Sequence, residues 1–195
     1  PTRKALDETN KSALYTQTLF YYKASARPIL ERGLELGRSF VQPKYWGSRS
    51  LDYLWMGIAA FLRQHPEYRY LLGAVSISDL FSKPAQDLLV RYYQIYYGAE
   101  ETIVDCQTPF MVCQESNVQV DLIFAGLSTK EAFVVLKQRL AEMGFTVPTL
   151  YKQYVALCKP GGTCFHGFNI DSDFNDCVDG LVVVDIDALK PAKRK

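Results

Sequence analysis

The sequence predicts a mixed α/β fold, a mixed sheet with helices on both faces. Three observations predict it. Residues 70–77 (YLLGAVSI) form a short, almost wholly apolar run carrying Gly73, the pattern of a strand covered on both faces. The segments that precede and follow this run carry the 3.6-residue apolar period of amphipathic helices. Up to residue 98 the order is strand, helix, strand, helix, which favours some parallel pairing flanked by helices.

Taken in order, residues 14–22 (LYTQTLFYY) are rich in Thr, Tyr and Phe and predict a strand. Residues 27–33 are a connection or one short turn of helix, and residues 34–41 a second strand ahead of Pro43. Leu51, Leu54, Trp55, Ile58, Phe61 and Leu62 then follow the i, i+3, i+4, i+7 rule, with Ser48 or Ser50 as N-cap and Pro66 beyond the end. That face must be buried. After the strand at 70–77, Pro84 near the start, Leu88, Leu89, Tyr92, Ile95 and Tyr96 along one face, and Gly98 past the end mark a helix at 83–97.

Residues 99–117 show little periodicity and read as an irregular connection or a weak strand, and 118–125 as a strand. Ser128 and Glu131 form an S-x-x-E capping box for a helix that ends at Gly144. A short helix at 150–158, a Pro160-Gly161-Gly162 turn, and strands at 163–170 and 181–186 that pair across an acidic loop complete the pattern. The chain ends in a basic tail containing Lys190, Lys193, Arg194 and Lys195.

Composition narrows the function classes. The 195 residues suit a single domain, and 48% apolar residues supply a real core and argue against disorder. Lys and Arg number 22 against 21 Asp and Glu, a net +1 that disfavours a dedicated nucleic-acid binder. No run reaches the roughly 18–20 apolar residues that span a bilayer, and the first residues lack a signal peptide's apolar stretch, so a soluble protein is expected. Five cysteines, none in a C-x-x-C spacing, imply free, buried thiols in a reducing, cytoplasmic setting. Only His65 and His166 are available to a metal, so no metal site is expected. Pro as the first residue suggests a piece of something longer.

Several motifs have bland readings that outweigh them. Asp171, Asp173, Asn175, Asp176 and Asp179 invite a calcium loop, but the EF-hand pattern needs Gly at its sixth position and Glu at its twelfth, here Asp176 and Val182. His166 and Asp171 have an H-x4-D spacing that can orient a catalytic His, yet the pair straddles a predicted strand end. Neither a G-x-S-x-G elbow nor a Walker loop occurs.

The informative stretch is ELGRSFVQPKYWGSRSLDYLW, residues 35–55. A strand carrying Glu35 and Arg38 enters a turn with Gly47, Ser48 and Arg49 and then a helix N-terminus, whose unpaired N–H groups suit a phosphate. A lone Gly here is also what an ordinary turn shows, and Glu35 could be half of a structural ion pair. Glu35 and Arg38, three apart, point to opposite faces of a strand unless a bulge intervenes.

The segments ELGRSFVQPKYW, LDYLWMGIAAFL and YRYLLGAVSIS resemble the hemolysin-like and ornithine-lipid-synthase branch of the GNAT acyltransferase superfamily. VPTLYKQYVALCKPGG and FNIDSDFNDCVDGLVVVDID are similar to the same branch, and ELGRSFV to the Glu-x-x-Arg strand of acyl-homoserine-lactone synthases. The resemblance implies a three-layer α-β-α sandwich whose first strand and first helices are not evident before residue 14, so an incomplete front is expected. It implies N-acyl transfer from an acyl thioester, on acyl carrier protein or coenzyme A, to the amine of an amino acid or amino-lipid precursor, with no metal and no permanently bound cofactor.

On that resemblance, residues 1–98 are the acyl-donor half and 99–195 a C-terminal half of one domain. The thioester arm would lie between the strands at 34–41 and 70–77. Glu35 would accept the amine's proton, and Arg38 would orient Glu35 or a substrate carboxylate. The amides near Phe40 and Val41 would polarise the thioester carbonyl, and Tyr92 or Tyr96 would protonate the leaving thiolate unless they only pack the core. Tyr45, Trp46, Gly47, Ser48 and Arg49 would hold the arm's phosphate. Lys44, Arg49 and Arg63 would meet an acidic carrier protein, and the tail an anionic membrane surface. The rival reading is a non-catalytic lipid- or protein-interaction module, or an accessory domain of a larger glycerolipid acyltransferase.

Overall fold

Residues 33–35 leave a short helix, pair with the apolar strand at 70–77 and so set one edge of a four-stranded sheet. The computed structural model describes residues 14–37, 42–45 and 48–191. The strands are β1 (Phe20–Tyr22), β2 (Gly33–Glu35), β3 (Tyr70–Ile77), β4 (Val104–Cys106), β5 (Thr163–Asp171) and β6 (Cys177–Asp185). The helices are α1 (Arg27–Glu31), α2 (Ser50–Gln64), α3 (Lys83–Tyr97), α4 (Gln114–Phe124), α5 (Thr129–Glu142) and α6 (Thr149–Leu157). The main sheet has the order β2-β3-β6-β5, with β2 parallel to β3 and the other pairs antiparallel. It is the mixed α/β architecture that the alternation predicts.

The alternation of side chains along β3 and β6 divides the core in two. Leu71, Val75, Ile77, Val178, Val182 and Val184 face a large cluster that includes buried residues of α3, α4, α5 and α6. Leu72, Leu181 and Val183 face the other way, towards Leu14, Leu19, Phe20, Leu30 and Val104. This second face is covered by a 3-10 turn at Tyr15–Thr18, by α1, and by the antiparallel β1–β4 ribbon. The ribbon presses on β5 at Gly167, where an added Cβ would lie 2.8 Å from Cys106 Sγ, so only Gly fits without movement.

Several sequence expectations are corrected. Residues 118–125 are not a strand: they belong to α4, because Val120 and Phe124, four apart, pack into the helical core and Asp121 takes a two-pronged ion pair from Arg91 at 2.6 and 2.8 Å. Those tertiary contacts override the β-branched composition. In 14–22 only the last three residues pair as a strand, the preceding 3-10 turn being held by the Gln17 amide on the Leu14 carbonyl at 3.2 Å. β2 is described as a strand through Glu35, and the Leu36 amide adds one more bond to the Leu72 carbonyl at 2.7 Å. The remainder of the expected strand, 38–41, lies outside the described residues.

The α2 helix forms as predicted, but Arg49 is its N-cap residue, and the Ser48 hydroxyl instead accepts from the Ser50 amide at 3.2 Å. Trp55, Ile58 and Leu62 pack on the core, yet no residue of α2 is fully buried. The acidic connection is shorter than expected, since Asp171 ends β5 and Asp179 lies inside β6. Gly98 does not take a left-handed cap: it has φ −65° and bridges to Phe165 of β5. The Ser128–Glu131 capping box forms as expected, with the Ser128 amide donating to Glu131 Oε2 at 2.9 Å. Among the described residues no group of three or more His, Cys, Asp or Glu could hold a metal, and no helix is long and apolar enough to cross a membrane.

Candidate active site

Glu35 ends β2 opposite Leu72 in the parallel ladder, so its side chain shares the sheet face of Leu72 and of the smaller core cluster. On that face the 3-10 turn brings three donors to the carboxylate. Thr16 gives its amide to Oε1 at 2.8 Å and its hydroxyl to the same oxygen at 2.7 Å, while the Tyr15 amide reaches Oε2 at 3.1 Å. Thr16 is fully buried and fixed from behind by the Tyr22 hydroxyl at 2.8 Å; burial raises the Tyr22 phenol above its usual value and keeps it neutral. Among the described residues, Oε1 has both lone pairs engaged, whereas Oε2 accepts a single bond.

Tyr15 spans the sheet. Its amide meets Glu35 on β2 and its hydroxyl donates to Asp171 Oδ2 on β5 at 2.5 Å. Asp171 accepts in addition from the Asp173 amide at 3.0 Å, which fixes the carboxylate at the turn between β5 and β6. Asp179 is paired in register with Ser76 of β3 on one side and Asn169 of β5 on the other, on the same face as Asp171. Asp179 is only 1% exposed, and its Oδ1 has no hydrogen-bond partner among the described residues. Burial raises its carboxyl to about 6; the Ser76 hydroxyl opposes the rise, and the charge and hydrogen bond of Asp171 add to it.

The expected phosphate turn is only partly in view. Tyr45, Ser48 and Arg49 are exposed around the start of α2, while Trp46 and Gly47, like Arg38, Phe40 and Val41, lie outside the described residues. Ser48 is committed to turn geometry: its hydroxyl donates to the Tyr45 carbonyl at 2.6 Å. Arg49 contacts Asp52 at 3.4 Å, and Lys44 stands over the Tyr45 ring at 4.8 Å. Two cations stand beside this helix N-terminus, which suits an anionic group, but the Ser50 amide is taken by Ser48 and Arg49 is engaged by Asp52 of the first turn. Arg63 is exposed at the far end of the same helix.

The structure does not bring Tyr92 to Glu35. Tyr92 is buried on the helical side of the sheet among Tyr93, Tyr96, Tyr97, Phe124 and Phe133, and its hydroxyl donates to the Thr129 carbonyl at 3.5 Å. Tyr96 gives its hydroxyl to the carbonyls of Phe124 and Leu127 at 3.2 and 3.1 Å. Both phenols are raised by burial; Tyr92 ties α3 to the start of α5, and Tyr96 ties it to the end of α4 and the connection that follows. The α3 positions that make a good amphipathic helix face the core on the side of the sheet opposite Glu35.

His166 and Asp171 do not pair either. His166 is buried at a register shift in β5, where burial lowers its ring to about 4 and keeps it neutral, while Asp171 bonds Tyr15. Sequence reasoning missed Tyr15 and Thr16 and weighed Asp179 only as part of a calcium loop. The signal for Asp179 is a lone carboxylate inside the apolar run CVDGLVVV, and nothing local marks Tyr15 or Thr16.

The comparisons with known proteins fall on this region. A family model for the acetyltransferase (GNAT) domain matches residues 2–56, which include Tyr15, Thr16, Glu35, the turn and the first half of α2. The chain is similar to a glycine N(alpha)-acyltransferase of Bacteroides thetaiotaomicron, 25% identical over 196 residues that cover 96% of this chain and 57% of that protein. The chain thus spans little more than half the length of that relative. No solved structure matches the chain.

Proposed function

We propose that the chain carries the catalytic residues of an N-acyltransferase, which moves an acyl group from a thioester to the amine of an amino acid or amino-lipid precursor. The observation that carries this reading is Glu35: a carboxylate held by three donors at the end of β2, with Oε2 accepting a single bond among the described residues, inside the segment that matches the GNAT domain. The name of the similar protein supports an amino acid as acceptor.

In the mechanism the amine nitrogen attacks the thioester carbonyl carbon. Glu35 Oε2 takes a proton from that nitrogen, directly or through water, as the C–N bond forms. The C–S bond then breaks, and the departing thiolate takes up a proton to leave as a thiol. The tethering of Glu35 by Tyr15 and Thr16 fixes the direction of Oε2, and positioning of this kind supplies much of a transfer enzyme's rate. The donor's phosphate lies at the turn before α2, with Lys44 and Arg49, and the acyl carrier protein docks on Lys44, Arg49 and Arg63. Coenzyme A is the alternative donor. A place in ornithine-lipid-like synthesis at an anionic membrane surface completes the proposal.

The test is acylation by the full chain, with glycine offered first and other amino acids after it, each with acyl carrier thioester and with acyl-coenzyme A, followed by mass spectrometry. Glu35→Gln is expected to lower kcat roughly a hundredfold or more, the usual share of a positioned base. Equal rates in wild type and variant would remove Glu35 as base.

A second reading, an interaction module, is favoured by α2. Tyr53 (62% exposed), Met56 (59%), Leu54 (41%) and Phe61 (37%) make its outer face apolar, and a helix apolar all round is usually covered. Absence of acylation with every amine and both donors would favour the module.

A further inference from the structure

The reactive oxygen proposed for Glu35 is aimed by a contact at the opposite edge of the sheet. The terminal torsion of a glutamate is broad, so its own rotamer does not fix the plane of the carboxylate. Thr16 holds Oε1 twice, through its amide and its hydroxyl, and those two bonds leave Oε1 as a pivot. The Tyr15 amide on Oε2, at 3.1 Å, is the second point that stops the group from turning. Oε2 is the oxygen that takes the proton in the proposed reaction, so its position depends on where the Tyr15 backbone sits.

That backbone belongs to a single 3-10 turn, Tyr15–Thr18, closed by 3.2 Å bonds from the Gln17 amide to the Leu14 carbonyl and from the Leu19 amide to the Thr16 carbonyl. A turn this short has poor hydrogen-bond geometry and little stiffness of its own. Anchors outside it hold its two ends. The later end is tied to Gln107, just past β4, whose amide and side chain meet the carbonyls of Leu19 and Gln17 at 3.0 and 2.8 Å. At the earlier end Leu14 packs into the smaller core, but apolar contact is non-directional. The directional anchor there is the Tyr15 phenol, which donates to Asp171 Oδ2 at 2.5 Å. Asp171 is a rigid acceptor: it is buried, it closes β5 opposite Cys177 of β6, and its Oδ1 accepts from the Asp173 amide at 3.0 Å. Asp171 stands on β5 and Glu35 on β2, the two outer strands of the main sheet, so the phenol ties one edge to the other.

We infer that the Tyr15–Asp171 hydrogen bond sets the aim of the Glu35 carboxylate, which makes Tyr15 and Asp171 positioning residues for removal of the amine's proton. This rests on the acyl-transfer reading for the proton that Glu35 takes, but not for the coupling between Asp171 and Glu35. A bond that only braced the sheet would leave the Tyr15 and Thr16 amides in place when cut, and would cost activity whether or not Glu35 was present.

The experiment has two arms on the full chain. In the first, without substrate, NMR follows hydrogen exchange of the Tyr15 and Thr16 amides in wild type, Tyr15→Phe and Asp171→Ala, with circular dichroism to establish folding. Exchange at both amides is expected to quicken roughly tenfold or more in either variant while the β6 amides are unchanged. Tyr15→Phe keeps the ring and carries the test alone if Asp171→Ala does not fold. Unchanged exchange at both amides overturns the inference. In the second arm, acylation by Tyr15→Phe is expected to show a kcat lowered roughly tenfold with unchanged KM for thioester and amine, and no further loss when the substitution is added to Glu35→Gln. Faster exchange without acylation from any donor or amine supports the coupling while the acyl-transfer reading falls. Acylation by Tyr15→Phe with a wild-type kcat overturns the positioning role and leaves acyl transfer standing, as does an equal further loss in the Glu35→Gln background.

Discussion

Glu35 and Thr16, nineteen residues apart, are joined twice: the Thr16 amide and hydroxyl both end on Glu35 Oε1, at 2.8 and 2.7 Å. Because Thr16 is fully buried, its hydroxyl has no water to fall back on, and it also contacts the Tyr22 hydroxyl. Thr16→Val keeps the shape and removes the hydroxyl, leaving a Glu35 lone pair and the Tyr22 hydroxyl without a partner. The expected cost is about 1–3 kcal/mol in urea unfolding, with a lowered kcat if Glu35 is the base. Unchanged stability would show that the tether carries no energy.

Gly73 tests the other half of the donor region. A Cβ at this position would lie 2.4 Å from the Leu36 carbonyl oxygen, and a backbone atom cannot swing aside as a side-chain tip can. Gly73→Ala must push β2 away from β3 just past Glu35. A loss of about 1–3 kcal/mol is expected, the usual range for overpacking, along with a raised KM for the thioester. A thermal melt and a donor titration measure the two effects.

Asp179 should make stability depend on pH. Its carboxyl is raised from 3.8 to about 6 in the folded chain by burial, against the Ser76 hydroxyl and with Asp171. The groups facing it are Asp171 from β5, Ser76 from β3, and Cys177 on its own strand, while Tyr151 of α6 feels its charge. The protonated form is favoured on folding, so this contribution is fully present below pH 3.8 and is lost as pH rises through about 6. Asp179→Asn removes the loss. The variant should be more stable than wild type at pH 7, by at most on the order of 3 kcal/mol, with the gap closing by about pH 4.

Much of the fold was readable because its signals are local. The capping box at Ser128 and Glu131, the apolar run of β3 and the face of α3 follow from neighbouring residues alone, and all three form as expected. Residues 118–125 misled because Val118, Val120 and Ile123 favour a strand, while the helix depends on contacts with α3 that are distant in sequence. The site divides in the same way. Glu35 could be singled out from its strand-to-turn setting, but its partners Tyr15 and Thr16 are nineteen or twenty residues away, and the Tyr15–Asp171 bond spans 156. Tyr92 misled because the period of α3 shows which residues share a face but not which side of the sheet that face meets.

Lys44, Arg49 and Arg63 are exposed, so the carrier docking proposed for them is one that salt would screen. Arg63→Glu is expected to raise KM for the acyl carrier thioester severalfold at low ionic strength, with the difference fading towards roughly 0.5 M salt, and to leave KM for acyl-coenzyme A nearly unchanged. Steady-state kinetics at two salt concentrations decide the matter; equal effects on both donors would move the carrier elsewhere.

In the proposed reaction Glu35 removes the amine's proton during acyl transfer. The direct measurement is a single-turnover rate of glycine acylation by the full chain, wild type against Glu35→Gln, with saturating thioester and both proteins shown to be folded. A drop of roughly a hundredfold or more at neutral pH is expected if Glu35 is the base. Equal single-turnover rates would contradict it and reduce Glu35 to a tether for Tyr15 and Thr16.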